Sequence, residues 1–216
     1  AYGYSIDGGQ NWYPSGLFED QAPGTYIVQI RDAANPACVI VLNNNLIITE
    51  PPELDATVSS TNITCYGTRD GRINISFPTG GYGSYDYSID GGLTWQPTGN
   101  YSGLAAGIYS VAIRDRAHIT CIKVLVDELV LTQPDPLTGT VTFTNVTCFS
   151  SNDGTITITD PDGGYGIYTY SVNGGSSWQS SGTFSNLAPG VYDVRIRDAE
   201  NPACFAVLMA PLQITQ

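Results

Sequence analysis

The chain has 216 residues, with 20 Asp and Glu against eight Lys and Arg, a net charge of −12. Nucleic acid and anionic membrane are excluded as natural partners: a phosphate surface needs clustered cations, whereas Lys123 is the one lysine here and the arginines are scattered. No apolar run approaches the roughly 18 residues of a membrane span and no leader pattern is present, so the chain reads as a mature or internal piece without membrane insertion.

Shifted by 83 positions, the sequence falls into register with itself without a gap. Arg31-Asp32, Arg114-Asp115 and Arg197-Asp198 coincide, as do Trp12, Trp95 and Trp178, and Cys38, Cys121 and Cys204. The expected organisation is therefore the C-terminal part of a first repeat over 1–50, lacking its first two strands, then full repeats over 51–133 and 134–216. A unit of that length suits a small domain better than a solenoid turn. The 24 glycines, 13 prolines and 14 tyrosines, with few helix formers, point to an all-β chain rich in turns.

In chain order, the second repeat opens with Leu54, Ala56 and Val58 alternating with polar residues as a first strand. Asp70-Gly71 makes a turn, and Ile73, Ile75 and Phe77 form a half-buried second strand. A Gly-rich loop, Pro78 to Gly83, leads to a third strand at Tyr85, Tyr87 and Ile89, which Asp90-Gly91-Gly92 closes as a hairpin. A short element follows around Tyr101. Next comes Gly107-Ile108-Tyr109-Ser110-Val111-Ala112-Ile113, repeated as Gly190 to Ile196 and as Gly24 to Ile30. A turn glycine followed by Tyr, Val and Ile on one face resembles the tyrosine corner of immunoglobulin-like and fibronectin-like sandwiches, whose hydroxyl bonds upstream backbone. Tyr26, Tyr109 and Tyr192 are thus read as structural. A last strand runs from Cys121 to Val126 and on through Leu129 to Thr132. Seven or so strands in this order predict tandem immunoglobulin/fibronectin-like Greek-key β-sandwiches. The Pro-rich links, Glu50-Pro51-Pro52-Glu53 and Gln133-Pro134-Asp135-Pro136, predict short, stiff joints.

Cys65-Tyr66-Gly67 with Asp70-Gly71-Arg72-Ile73, Gly80-Gly81 before Tyr85-Asp86-Tyr87-Ser88, and the Gly-x-Tyr-x-Val segment with Arg-Asp and a late Cys together resemble the SprB-type repeat. The third repeat carries the same marks at Cys148-Phe149, Asp153-Gly154 and Gly163-Gly164, with Ser150 in place of the glycine. The resemblance implies tandem immunoglobulin-like repeats of Bacteroidetes surface adhesins and secreted proteins, an extracellular or cell-surface location, a role in adhesion or filament construction, and no catalytic residues. Two other readings stand beside it. One is a subunit of a non-covalent extracellular fibre, completed by strands of a neighbouring chain; the other is a carbohydrate-binding accessory module of a secreted enzyme. The partners expected are neighbouring repeats of the same chain, identical chains in a filament, and surface glycans.

Several side chains are candidates for more than scaffold. Trp12, Trp95 and Trp178 could offer glycan-stacking rings, although packing over the sandwich edge is the reading their size favours. Arg31, Arg114 and Arg197 are read as structural, bracing a loop through a salt bridge or hydrogen bond. Asn62, Asn74, Asn100 and Asn145 begin N-x-Ser/Thr sequons, and Asn62 and Asn145, at equivalent positions, are the better glycosylation candidates. Calcium is the one candidate cofactor: Asp160-Pro161-Asp162-Gly163 and Asn152-Asp153-Gly154 offer oxygens, but without the ligand spacing of a defined loop. Catalysis finds little support, with a lone His118, no Gly-x-Ser-x-Gly elbow, and a repeated acidic position, Asp7 and Asp90, that becomes Asn173. The cysteines leave two pairings open. Within-domain bridges, Cys65 to Cys121 and Cys148 to Cys204, are the commoner arrangement in small extracellular domains. A Greek key would instead hold Cys65 and Cys121 at opposite ends, beyond the roughly 7 Å reach of a disulfide, and would favour Cys65 to Cys204. The frequency of within-domain bridges tips the expectation towards the first. Cys38 finds its partner outside the chain.

Overall fold

The computed structural model describes all residues, 1–216, and contains fifteen strands and no helix. Two compact units emerge, residues 1–53 with 80–82, and residues 54–79 with 83–216. The strands keep to the repeat boundaries, yet the two full repeats cohere as one unit. No helix is long and apolar enough to cross a membrane.

The second repeat holds two three-stranded antiparallel sheets. One is β4 (Asp55–Thr61), β5 (Gly71–Thr79) and β7 (Asn100–Leu104), with β5 central; the other is β6 (Tyr85–Ser88), β8 (Gly107–Asp115) and β9 (Ile122–Leu131), with β8 central. The chain changes sheet between β5 and β6, between β6 and β7, and again between β7 and β8, which is the crossing of a two-sheet sandwich. The third repeat copies it with β10 (Thr138–Thr144), β11 (Gly154–Asp162) and β13 (Thr183–Leu187) in one sheet, and β12 (Tyr168–Ser171), β14 (Gly190–Asp198) and β15 (Phe205–Ile214) in the other. The all-β sandwich is as the sequence implies, with six strands per repeat where about seven were expected. The last segment, read as one strand from Cys121 through Thr132, is the single strand β9, whose register against β8 shifts around Val111. A bulge interrupts the alternation without breaking the ladder.

Alternation explains which residues meet between the sheets. In β5, Gly71, Ile73 and Ile75 turn inward while Arg72 and Asn74 face water. Ile73, Val111 and Ile113 are fully buried, joined by Leu54, Ile63, Tyr87 and Leu131. Their counterparts Ile156, Val194 and Ile196 are equally buried among Val146, Tyr170, Leu212 and Ile214. Each such side chain contributes about 1.5–3 kcal/mol by leaving water. Gly99 has to be glycine for packing reasons. A Cβ there would lie 2.0 Å from the Ile75 carbonyl oxygen, and the Ile75 amide donates to the Gly99 carbonyl at 2.8 Å. Gly182 repeats the arrangement against Ile158.

The turn at Asp90-Gly91-Gly92 corrects the hairpin expectation in one respect. Reciprocal backbone bonds between Tyr87 and Gln96, 2.8 and 3.0 Å, close the loop, but the arms do not extend into a paired ribbon. β6 pairs with β8, and β7 crosses to pair with β5, because both sheets recruit edge strands from this short stretch.

The first repeat consists of β1 (Tyr2–Ser5), β2 (Gly24–Asp32) and β3 (Val39–Ile48) in a single antiparallel sheet. It corresponds to the β6-β8-β9 sheet alone. Val28 and Ile30 are half-buried, whereas Val111 and Ile113 are fully buried.

Candidate functional site

Three groups of side chains recur in each repeat, and the first is the turn that carries the tryptophan. Ser88, fully buried, donates its hydroxyl to Asp90 at 2.7 Å and accepts from the Gly92 amide at 2.9 Å. Asp90 in turn accepts from the Thr94 amide at 2.9 Å. Ser5 with Asp7, and Ser171 with Asn173, repeat this pattern. The substitution of Asn173 for an aspartate has a simple reason: only an accepting oxygen is needed, and the Asn173 Oδ1 accepts from the Ser171 hydroxyl and the Ser177 amide. The repeated acid is a turn organiser. The buried serine is the partner that sequence reading overlooked, although its recurrence two residues before the acid was visible.

The indole N–H of Trp95 donates to the Gly92 carbonyl at 2.8 Å, and Trp12 and Trp178 do the same to Gly9 and Gly175. Guanidinium groups of Arg31, Arg114 and Arg197 lie over the three rings at 4.4, 4.6 and 4.4 Å from the centroid, a cation–π arrangement. One face of each half-buried ring is therefore already occupied, which counts against the glycan-stacking reading. The arginines find different cross-strand neighbours. Arg114 bridges to Asp86 at 3.0 Å, Arg197 donates to the Thr169 hydroxyl at 2.9 Å, and Arg31 faces Gly3 across the ladder. The salt bridge that was one reading of the repeated arginine thus occurs in the second repeat, where Asp86 also receives Arg116.

The second group is the corner. The hydroxyls of Tyr26, Tyr109 and Tyr192 donate to the carbonyls of Ala22, Ala105 and Ala188 at 2.6, 2.9 and 2.7 Å. Tyr109→Phe removes one neutral hydrogen bond while keeping the ring, so a loss of about 1 kcal/mol is expected. Urea unfolding of the single variant and of Tyr192→Phe should give similar losses; no change in either would show the bond to be incidental.

The third group lies at the ends of the repeats, where the cysteines sit. Cys65 is bonded to Cys204, with Cα atoms 5.2 Å apart, across 139 residues. Cys38, Cys121 and Cys148 are free. This corrects the within-repeat pairing: Cys65 lies in the loop between β4 and β5, Cys121 in the loop between β8 and β9, and the staple runs from the early cysteine of one repeat to the late cysteine of the next. Around it, the Tyr165 hydroxyl donates to the Thr64 carbonyl at 3.0 Å and the Gly67 amide donates to the Gln133 side chain at 2.9 Å. A groove beside the disulfide is lined by Tyr66, Pro134, Pro136, Leu137 and Phe205. The aspartates after the repeated arginines shape the late loops: Asp115 accepts from the amides of Ala117 and His118, and Asp198 from those of Glu200 and Asn201.

Asn62 and Asn145 are exposed, but their Oδ1 atoms accept from the amides of Thr132 and Thr215 at 3.0 Å, securing the end of the last strand. Asn74 and Asn100 are exposed on β5 and β7. The oxygens considered for calcium serve local turns. Asp153 accepts from the amide and hydroxyl of Thr147, Asp162 accepts from the Gly163 amide, and Asp160 from the Thr159 hydroxyl. No group of three or more His, Cys, Asp or Glu side chains gathers to hold a metal ion.

These turn bonds set the acid limit of the fold. The Asn11 amide, with the Ser5 hydroxyl, holds Asp7 down at about 2. Thr64 lowers Asp70, and Thr147 lowers Asp153. Burial opposes the ionisation of Asp86, but Arg116 and Arg114 outweigh it, so that carboxyl too is lowered. A carboxylate whose folded pKa is depressed stabilises the fold above its unfolded pKa, near 3.9, and that contribution disappears as pH falls through the folded value. The melting temperature should therefore be level from neutrality to about pH 4 and then fall towards pH 2. A circular dichroism series showing a steep fall between pH 6 and 5 would contradict this origin.

Residues 57–94 and 140–177 match the family model of the SprB repeat. Both segments begin in the first strand of a full repeat, contain the early cysteine, and end in the tryptophan turn. No curated protein matches the chain. These two segments, one in each full repeat, are SprB-type, and the SprB repeat is a structural repeat family typically found in secreted surface proteins.

Proposed function

We propose that this run of SprB-type repeats is a non-catalytic, extracellular spacer, forming part of the stalk or filament of a bacterial surface adhesin. The observation that carries the reading is the covalent staple between successive repeats. Side chains that recur in every unit organise turns, corners and junctions, so the repeats are built to be joined and to bear tension. Any adhesive specificity would reside in the loops that differ from unit to unit.

Single-molecule pulling tests this directly. An oxidised chain held by its ends should extend without releasing the segment between Cys65 and Cys204; reduction should then release that sequence separation of 139, on the order of 470 Å of contour at about 3.4 Å per residue. A chain that extends fully at low force before reduction would end the stalk reading.

The second reading, a subunit of a non-covalent fibre, draws on the first repeat. Leu42 is 58% and Leu46 40% exposed, on a sheet with no second layer over it. Strands supplied by preceding residues of the same chain or by another copy would cover that face. Sedimentation in reductant separates the two: concentration-dependent assembly favours the fibre, and a monomer at tens of micromolar, on the order of usual protein work, rules it out.

A further inference from the structure

Each repeat's last strand bulges at the same place. Tyr109 pairs with Leu129 and Val111 with Val126, so Asp127 and Glu128 together stand opposite Ser110. Asn44-Asn45 and Ala210-Pro211 occupy the corresponding bulges, opposite Ile27 and Asp193. A bulge re-aims side chains out of the ladder, and here its position repeats while the two residues it presents change completely. In the second repeat the tryptophan turn meets the same spot: Asp90 bridges to Ser110, whose carbonyl accepts from the Gly91 amide at 3.0 Å. The Ser110 hydroxyl donates to Asp127 at 3.3 Å. Three carboxylates therefore converge beside one residue of β8.

They line a groove of about 750 Å³, a volume usual for a binding cleft. Its wall is apolar, made by Ile89, Tyr101, Ile108 and Tyr109, and no lysine, arginine or histidine lines it. We infer that this groove binds a lysine or arginine side chain presented by a basic partner protein, with the aliphatic stem on the apolar wall and the cation at Asp127 and Glu128. Such a side chain matches both halves of the groove, since its stem covers apolar surface while its head keeps to polar groups. The ring of Tyr101 adds a face for the cation. Burial, with Asp90 nearby, pushes the Tyr101 hydroxyl up to about 12, so the ring stays neutral. Asp90 is tied to its own turn by Ser88 and Thr94, which leaves Asp127 and Glu128 to pair with the cation. A bare metal ion is a poorer match, because these carboxylates do not gather as a metal-holding group. β9 is an edge strand of its sheet, so the backbone that carries the cation has room beside it, and the net charge of −12 draws basic partners towards the chain.

The third repeat shows the same frame without the recognition groups. Asn173 replaces Asp90, and Ala210 and Pro211 replace Asp127 and Glu128. The acid it does carry opposite the bulge, Asp193, is held by Arg195 at 2.6 Å. Selection of a basic partner is thus a property of the second repeat. It requires only that this repeat be folded, so it stands or falls separately from the stalk reading.

Calorimetric titration of the full chain in low salt tests this, using the acetylated and amidated peptide Gly-Lys-Gly-Lys-Gly, its glutamate counterpart and putrescine. The lysine peptide is expected to bind, the glutamate peptide not to bind, and putrescine to bind more weakly than the lysine peptide. On the native chain, amide shifts in nuclear magnetic resonance spectra should centre on Ser110, Asp127 and Glu128. Replacing two surface ion pairs, Asp127→Asn with Glu128→Gln should weaken binding about five- to tenfold. Asp160→Asn with Asp162→Asn removes equal charge from the third repeat and should change it by less than about twofold. Ile108→Ser, at a side chain 68% exposed, should weaken it about threefold through the lost apolar wall. Circular dichroism verifies that each variant keeps its fold. No binding of the lysine peptide, shifts centred elsewhere, equal losses in the two charge-removing variants, indifference to Ile108→Ser, or putrescine bound as tightly as the peptide would each overturn the proposal.

Discussion

Replacing Cys65 and Cys204 together by serine is expected to lower the unfolding free energy of the two-repeat unit by about 2–5 kcal/mol. The bridge encloses 139 residues of sequence separation, including most of the second repeat, the whole link and most of the third. Loop closure over that distance constrains the unfolded chain strongly, and the chain-entropy relation gives an upper value of about 5 kcal/mol. Each repeat retains its own core, so the double variant should still fold. What it loses is coupling: a transition in which the repeats unfold together should separate into two. The urea midpoint of the native chain should fall to that of the double variant on adding a reductant, and the double variant should not respond. A native midpoint indifferent to reductant would show that the bridge adds nothing to stability. Using both substitutions avoids leaving a new free thiol beside Tyr66 and Phe205.

The junction also marks where sequence reasoning ran short. The period, the turn acids and the corner were legible because each is local: Gly107 to Ile113 contains its own strand, turn and anchoring residue, and Tyr109 reaches only four residues back. The pairing of Cys65 depends on how one repeat follows another, which no single unit encodes. Its geometric argument, that the two cysteines of a unit lie at opposite ends, was available and was outweighed by the frequency of within-domain bridges. The arginines show the opposite difficulty. What repeats in sequence is Arg31, Arg114 and Arg197, but their partners are set by the opposing strand, where Gly3, Asp86 and Thr169 differ. Their common neighbour is the tryptophan ring, which precedes them by 19 residues and meets them only after the chain has crossed between sheets. Ser88 illustrates a third case: a small polar residue at full burial carries no hydrophobic signal, and only its bonds to Asp90 and Gly92 reveal its role.

Truncating Ile113 to alanine is the second large effect, about 2–5 kcal/mol for an aliphatic side chain removed from a closed core. Ile113 is central in β8, opposite Tyr87 on one side and Lys123 on the other, and it is fully buried between the sheets. The repeat supplies its own controls. Ile196→Ala, at the same depth in the third repeat, should cost as much. Ile122→Ala removes a side chain 53% exposed from the neighbouring strand and should stay within about 0.5 kcal/mol. Ile30→Ala is the discriminating case, since the sheet that would bury it is missing over β1-β2-β3 and the side chain is half-buried. A cost well below that of Ile113→Ala is expected for a monomer. If Ile30→Ala instead matches Ile113→Ala, and its cost grows with protein concentration in reductant, then another copy covers that face in solution. The fibre reading would then displace the stalk.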